Sequence, residues 1–151
     1  MAPSQSFDTN VFVNCPFDAK NAPILQALLF CLLRLGLNPR IATERSDSGE
    51  SRIDKILELV RSSRYSIHDL SRRQAQAAKE HYRLNMPFEL GIDFGCRRFG
   101  SEPLSEKIFL VLEEKQYRYQ AAISDLAGFD IKSHNGNASS AVLQLCNWIK
   151  D

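Results

Sequence analysis

Short apolar runs alternate with segments of helical periodicity along the chain. Asn10–Asn14 (Asn-Val-Phe-Val-Asn) reads as a buried strand that follows a flexible, polar head at residues 1–9. Residues 22–35 form a helix that is apolar over most of its circumference, so it is expected to be covered by the sheet on one side, with room for a subunit partner on another. Gly36 ends it. A second short strand covers residues 39–43. The clearest amphipathic helix is 48–62, where Ile53, Ile56, Leu57 and Val60 follow the i, i+3, i+4, i+7 template. A third strand, 64–70, is followed by a basic, Gln/Ala-rich connection at 71–84, read as a mobile loop or a short surface helix.

The next helix spans 86–99. Asn85 is expected to cap it, and Pro87 is tolerated in the first turn, where N–H groups have no intrahelical partner. Glu89 then lies near the positive end of the helix dipole, which favours its ionised form. Gly91 and Gly95 lie four apart on one face, which permits a close backbone approach to a strand or another helix. The continuous apolar run 107–112 marks a central parallel strand. Residues 116–126 read as partly helical, 129–133 as a last strand, and 139–150 as a closing helix with Val142, Leu145, Cys146 and Ile149 on its buried stripe.

This order is β-α-β-α-β-α-β-α-β-α. It predicts an α/β fold with a parallel sheet between two helical layers. The common solution is a flavodoxin-like (Rossmann-like) three-layer sandwich, with a five-stranded sheet in the order 2-1-3-4-5. With 151 residues the expectation is one domain, 10–151.

Composition narrows the partners. A net charge of +1 provides no general drive toward nucleic-acid polymers or anionic membranes. No apolar run is long enough to span a bilayer, and residues 1–10 lack the apolar core of a secretory signal, so a cytoplasmic protein is expected. The four cysteines, Cys15, Cys31, Cys96 and Cys146, are far apart in sequence and read as buried free thiols.

In open α/β sheets, ligands bind beyond the carboxyl ends of the strands, at the switch in strand order. Here that crevice is expected between strands one and three. Asn14, Pro16 and Phe17 follow strand one, and His68, Asp69 and Ser71 end strand three. Asn85 and Glu89 open the helix that follows, and Asp93 shares the Glu89 face at i+4. Each residue also has a plain structural role open to it, as turn, cap, packed histidine or solvated acid. Arg72 and Arg73, the cluster 79–83, and Arg97 with Arg98 flank the crevice as a potential anion site, joined by Arg40 and Arg52.

Several chemistries lack their motifs. There is no G-x-x-x-x-G-K-[ST] loop, no G-x-G-x-x-G opening a helix, no G-x-S-x-G elbow and no H-E-x-x-H. No metal site or resident cofactor is expected.

The segments Val11–Phe17, Ile67–Ser71 and Asn85–Gly91, with Lys107 before the fourth strand, resemble nucleoside 2-deoxyribosyltransferase-like proteins and, more distantly, TIR-like domains. Phe88-Glu89-Leu90-Gly91 is the specific element. The resemblance implies that Glu89 is a catalytic carboxylate acting at C1′ of a ribosyl group as an N-glycosidic bond breaks. It makes Asp69 and Asn14 candidates for handling the leaving base, and Phe17 or Tyr65 candidates for stacking on it. The substrate would be a nucleoside, a nucleotide or an NAD-type molecule; separately, the nearly all-apolar first helix leads to the expectation of a homo-oligomer. The alternative is a non-catalytic nucleotide-sensing or assembly module. Two departures stand out: His68 occupies a position often apolar in these families, and the basic connection at 72–84 is long.

Overall fold

The computed structural model describes residues 6–72, 78 and 83–150. Among these residues, five parallel strands form one sheet: β1 (Asn10–Asn14), β2 (Asn38–Arg40), β3 (Tyr65–Asp69), β4 (Ile108–Glu113) and β5 (Lys132–Ser133). Their order is β2-β1-β3-β4-β5, as the element order predicts. Among the described residues, four α-helices pack on it: α1 (Ala22–Arg34), α2 (Arg52–Arg61), α3 (Asn85–Phe99) and α4 (Ala138–Lys150).

Side chains alternate across a strand, and here each face has its own core. Val11, Val13, Ile67, Leu110 and Leu112 pack with Ile24, Leu28 and Leu32 of α1 and Ala141 and Leu145 of α4. On the opposite face Phe12 packs with Ile56, Leu59 and Val60 of α2, and Val111 with Met86 and Leu90 of α3. The same parity places Asn14, Ser66, His68 and Lys107 on the α2/α3 face. That face therefore carries a polar seam among its apolar residues.

Several boundaries differ from the expected ones. β2 stops at Arg40, because a turn from the Ile41 carbonyl to the Glu44 N–H takes over. β5 is only Lys132–Ser133, since turns claim the backbone of Phe129 and Ile131. The fourth crossover holds no α-helix; two 3-10 turns, Arg118–Ala121 and Ser124–Leu126, carry it instead. Ile53 and Leu57 remain exposed on α2, whose buried stripe is Ile56, Leu59 and Val60. On α4 the buried residues are Ala141 and Leu145, while Ile149 is exposed.

Gly36 ends α1 as expected, with a φ of 75° that a side chain would strain. Gly91 and Gly95 approach no other backbone: a Cβ on Gly91 would meet nothing within 4 Å, and one on Gly95 only the Phe99 ring. Of residues 1–9, Phe7–Thr9 form a short 3-10 helix whose Phe7 is buried. Among the described residues, no helix is long and apolar enough to cross a membrane.

Candidate functional site

The switch between β1 and β3 opens into a cleft of about 330 Å³. Pro16, Phe17 and Asp18 line it from the loop after β1, and Arg52 from the first turn of α2. Arg72, Arg83, Asn85 and Met86 line it from the connection after β3 and the start of α3. Asp18 fixes one wall. It accepts from the Asn21 side chain at 2.9 Å and from Arg72 Nε at 3.0 Å. Burial pushes its carboxyl up, but these hydrogen bonds and the Arg72 charge outweigh that and hold it below the usual carboxylate range.

Glu89 lies one turn along α3 from the cleft-lining Asn85 and Met86. It is only 3% exposed, and the cleft-lining Arg52 reaches it with Nη2 at 3.8 Å from Oε1. Burial pushes its carboxyl up to about 7, against an opposing pull from Arg52. The helix dipole led to the opposite expectation. The difference is one of position: α3 begins at Asn85, so Glu89 lies beyond the first turn, under the helix, where desolvation dominates. Asn85 is likewise the first helical residue rather than the cap. The cap is Leu84, with no side-chain hydrogen bond, and Asn85 is exposed at the cleft.

Beneath α3 runs a chain of buried polar groups. Asn14 Nδ2 donates to the Met86 carbonyl at 3.1 Å and to His68 Nδ1 at 3.0 Å. An acceptor at Nδ1 leaves the His68 proton on Nε2, which donates to Asp93 Oδ2 at 3.0 Å. Asp93 Oδ1 lies 3.2 Å from Lys107 Nζ. The ammonium also donates to the Ser63 carbonyl and, at 2.8 Å, to the Val60 carbonyl, both at the carboxyl end of α2. All four residues are buried. Burial raises the Asp93 carboxyl, but His68 and Lys107 together hold it below its ordinary range. Burial lowers the Lys107 ammonium in spite of Asp93.

His68 and Asp93 are thus internal to the fold rather than exposed to a ligand. His68 packs edge-on against Phe12 and Phe109 and ties β3 to α3. Asp69, one residue on, points to the other face of the sheet and away from Glu89. Its carboxylate accepts from the Ser71 backbone N–H at 2.9 Å, from the Ser71 hydroxyl, and from His134 Nε2 at 3.2 Å. Gly136 N–H donates to His134 Nδ1, so hydroxyl and carboxylate share the single Nε2 proton. That is a structural knot and not a nucleophile–base relay, which needs the acid on the other ring nitrogen. Asp69 and Ser71 therefore close the end of β3 and do not reach Glu89.

The remaining expected residues divide by end of the sheet. Tyr65 opens β3 at its amino end and stacks edge-on against Trp148, 5.8 Å between ring centroids. Arg40 is bound to Glu44, with Nε 2.9 Å from Oε1. Arg97 lies eight residues beyond Glu89 on α3, about 12 Å along the axis. There its guanidinium covers the Phe109 ring. Arg73 lies outside the described residues. What unites Asn14, Pro16, Phe17, Arg72, Asn85 and Glu89 is that all lie in or beyond the carboxyl ends of the interior strands β1 and β3. Asp18 and Arg83 join them; Arg83 belongs to the expected basic cluster 79–83, while the signal for Asp18 was its adjacency to Phe17.

No family model matches the chain, and no curated protein matches it. Among solved structures it is similar to the TIR domains of the activated Roq1 resistosome directly recognising the pathogen effector XopQ. The TM-score is 0.58 at 14% identity, over 94% of this chain and 99% of that one. The chain therefore has a TIR-like, flavodoxin-like fold, which is the TIR side of the expected resemblance.

Proposed function

We propose that the chain binds a nucleotide-type ligand in the arginine-lined cleft and breaks or transfers its N-glycosidic bond, with Glu89 as the catalytic carboxylate. The observation that carries this reading is a buried carboxyl, raised to about 7, next to a cleft whose Arg52 it shares. Departure of a base leaves positive charge at C1′, and an enclosed carboxylate stabilises or traps that charge far better than one in water. Arg52, Arg72 and Arg83 suit the phosphates of a nucleotide or NAD-type substrate. Phe17, exposed at the cleft, offers a face for the base. Asn14 holds the first turn of α3, and with it Glu89, to the end of β1.

The test is release of free base from a panel of nucleosides, nucleotides and NAD, followed across pH. Glu89 must be ionised to act. The second-order rate constant is therefore expected to rise about tenfold per pH unit up to about 7 and level off above it. A flat profile, or one that falls through neutrality, contradicts the assignment.

A second reading, an assembly module that binds the ligand without consuming it, rests on a separate observation. The outer surface of α1 exposes Phe30 (68%) and Leu33 (61%), and Leu143 is exposed on the adjoining α4. Apolar side chains of this size on neighbouring helices suit a homo-oligomer contact. Ligand-dependent oligomerisation with no product favours this reading over catalysis.

A further inference from the structure

Cys31 and Cys146 are 115 residues apart in sequence, yet their sulfurs lie 3.8 Å apart across the α1–α4 contact. Both side chains are partly exposed, unlike the fully buried Cys15. Their neighbours Leu28, Leu32, Ala141 and Leu145 are fixed in the core under that helix pair. We infer that Cys31 and Cys146 form a redox-responsive dithiol that closes to an intramolecular disulfide on exposure to a disulfide oxidant such as oxidised glutathione.

The sulfurs must close from 3.8 Å to about 2.05 Å across two helices already in contact. Cys31 is not a ready-made nucleophile: burial and the neighbouring Cys146 sulfur push its thiol up. The pair therefore stays reduced until an oxidant is present. One thiolate attacks a glutathione disulfide, forming a mixed disulfide and expelling one glutathione thiolate. The second protein thiolate then attacks the protein-side sulfur and expels the other glutathione. One protein S–S bond forms, and the glutathione disulfide takes up two electrons and the two thiol protons to become two molecules of thiol.

The consequence is a covalent tie between α1 and α4, the helices that carry Phe30, Leu33 and Leu143. A crosslink closing so long a loop restricts the unfolded chain strongly, so oxidised protein is expected to melt about 5–10 °C higher than reduced.

The test uses the whole chain, treated with oxidised glutathione under native conditions. Expected is a monomer lighter by two hydrogens, a Cys31–Cys146 linked peptide on mapping, and the rise in Tm. Cys31→Ser and Cys146→Ser should each abolish all three, while Cys96→Ser should keep them. Persistent glutathione adducts, a crosslink between two copies, a bond involving Cys96 or Cys15, or two thiols that remain free after treatment would each overturn the inference.

Discussion

Replacing Asp93 by alanine is expected to cost about 3–5 kcal/mol, because it leaves the Lys107 ammonium buried without its counter-charge. At this chain length that is a fall in Tm of about 10 °C or more. The two partners contribute unequally. Asp93 is held low by His68 and Lys107, so the native state favours its charge. Lys107 is pushed low by burial, so the native state resists its charge. The pair as a whole adds little net stability, and the penalty appears when one partner is removed. Lys107→Met should therefore be destabilising alone, and Asp93→Asn combined with Lys107→Met should recover part of the loss in a double-mutant cycle. The acid side follows from the sign. A lowered Asp93 contributes stability that is complete above its unfolded value of about 3.8 and is lost as pH falls through the lower native value. Thermal denaturation of wild type and these variants, near neutral pH and in acid, checks both statements.

Glu89→Gln is expected to behave in the opposite way: lower activity and higher stability. Base release should fall about a thousandfold or more, the scale on which an enclosed site loses rate when a group facing developing charge is neutralised. Stability should rise. The native state binds a proton at Glu89 between the ordinary value of 4.5 and about 7, and the unfolded state does not. Wild-type stability therefore declines as pH climbs through that window and stays at the lower level above it. The substituted amide carries no charge to desolvate, so the variant should gain on the order of 1–3 kcal/mol above neutrality and nothing near pH 4.5. A stability gain at high pH together with lost turnover separates a strained functional acid from a structural one, whose removal would cost stability.

The sheet order was legible because β4 carries a continuous apolar run, because β1 is Val-Phe-Val between two asparagines, and because α-helical periodicity separates the strands. The place of Glu89 followed from it. Strand parity, applied within β3, already separates His68 from Asp69 and sends them to opposite faces. The wider expectation of one crevice holding both residues passed over that rule. Asp93 and Lys107 were harder to read. Lys107 precedes an apolar run in sequence, and only the ending of α2 above it supplies the carbonyls that make a buried ammonium tolerable. β5 and the 3-10 crossover were obscured for another reason. A two-residue strand and isolated turns have no period to detect, and their conformation is set by neighbours such as Tyr119 in the α3-side core. The Cys31–Cys146 approach is a tertiary contact with no local signature at all.

The reading of Glu89 as a working carboxylate depends most directly on one comparison: the time course of free base released by wild type and by Glu89→Gln, at about pH 8, where the acid is ionised. The substrates are nucleosides, nucleotides and NAD, with product identified by mass spectrometry and the fold of both proteins checked by circular dichroism. If Glu89 is the catalytic carboxylate, wild type releases base from at least one phosphate-bearing substrate and the variant releases none above background. Absence of product from every substrate, or equal rates from the two proteins, would contradict it.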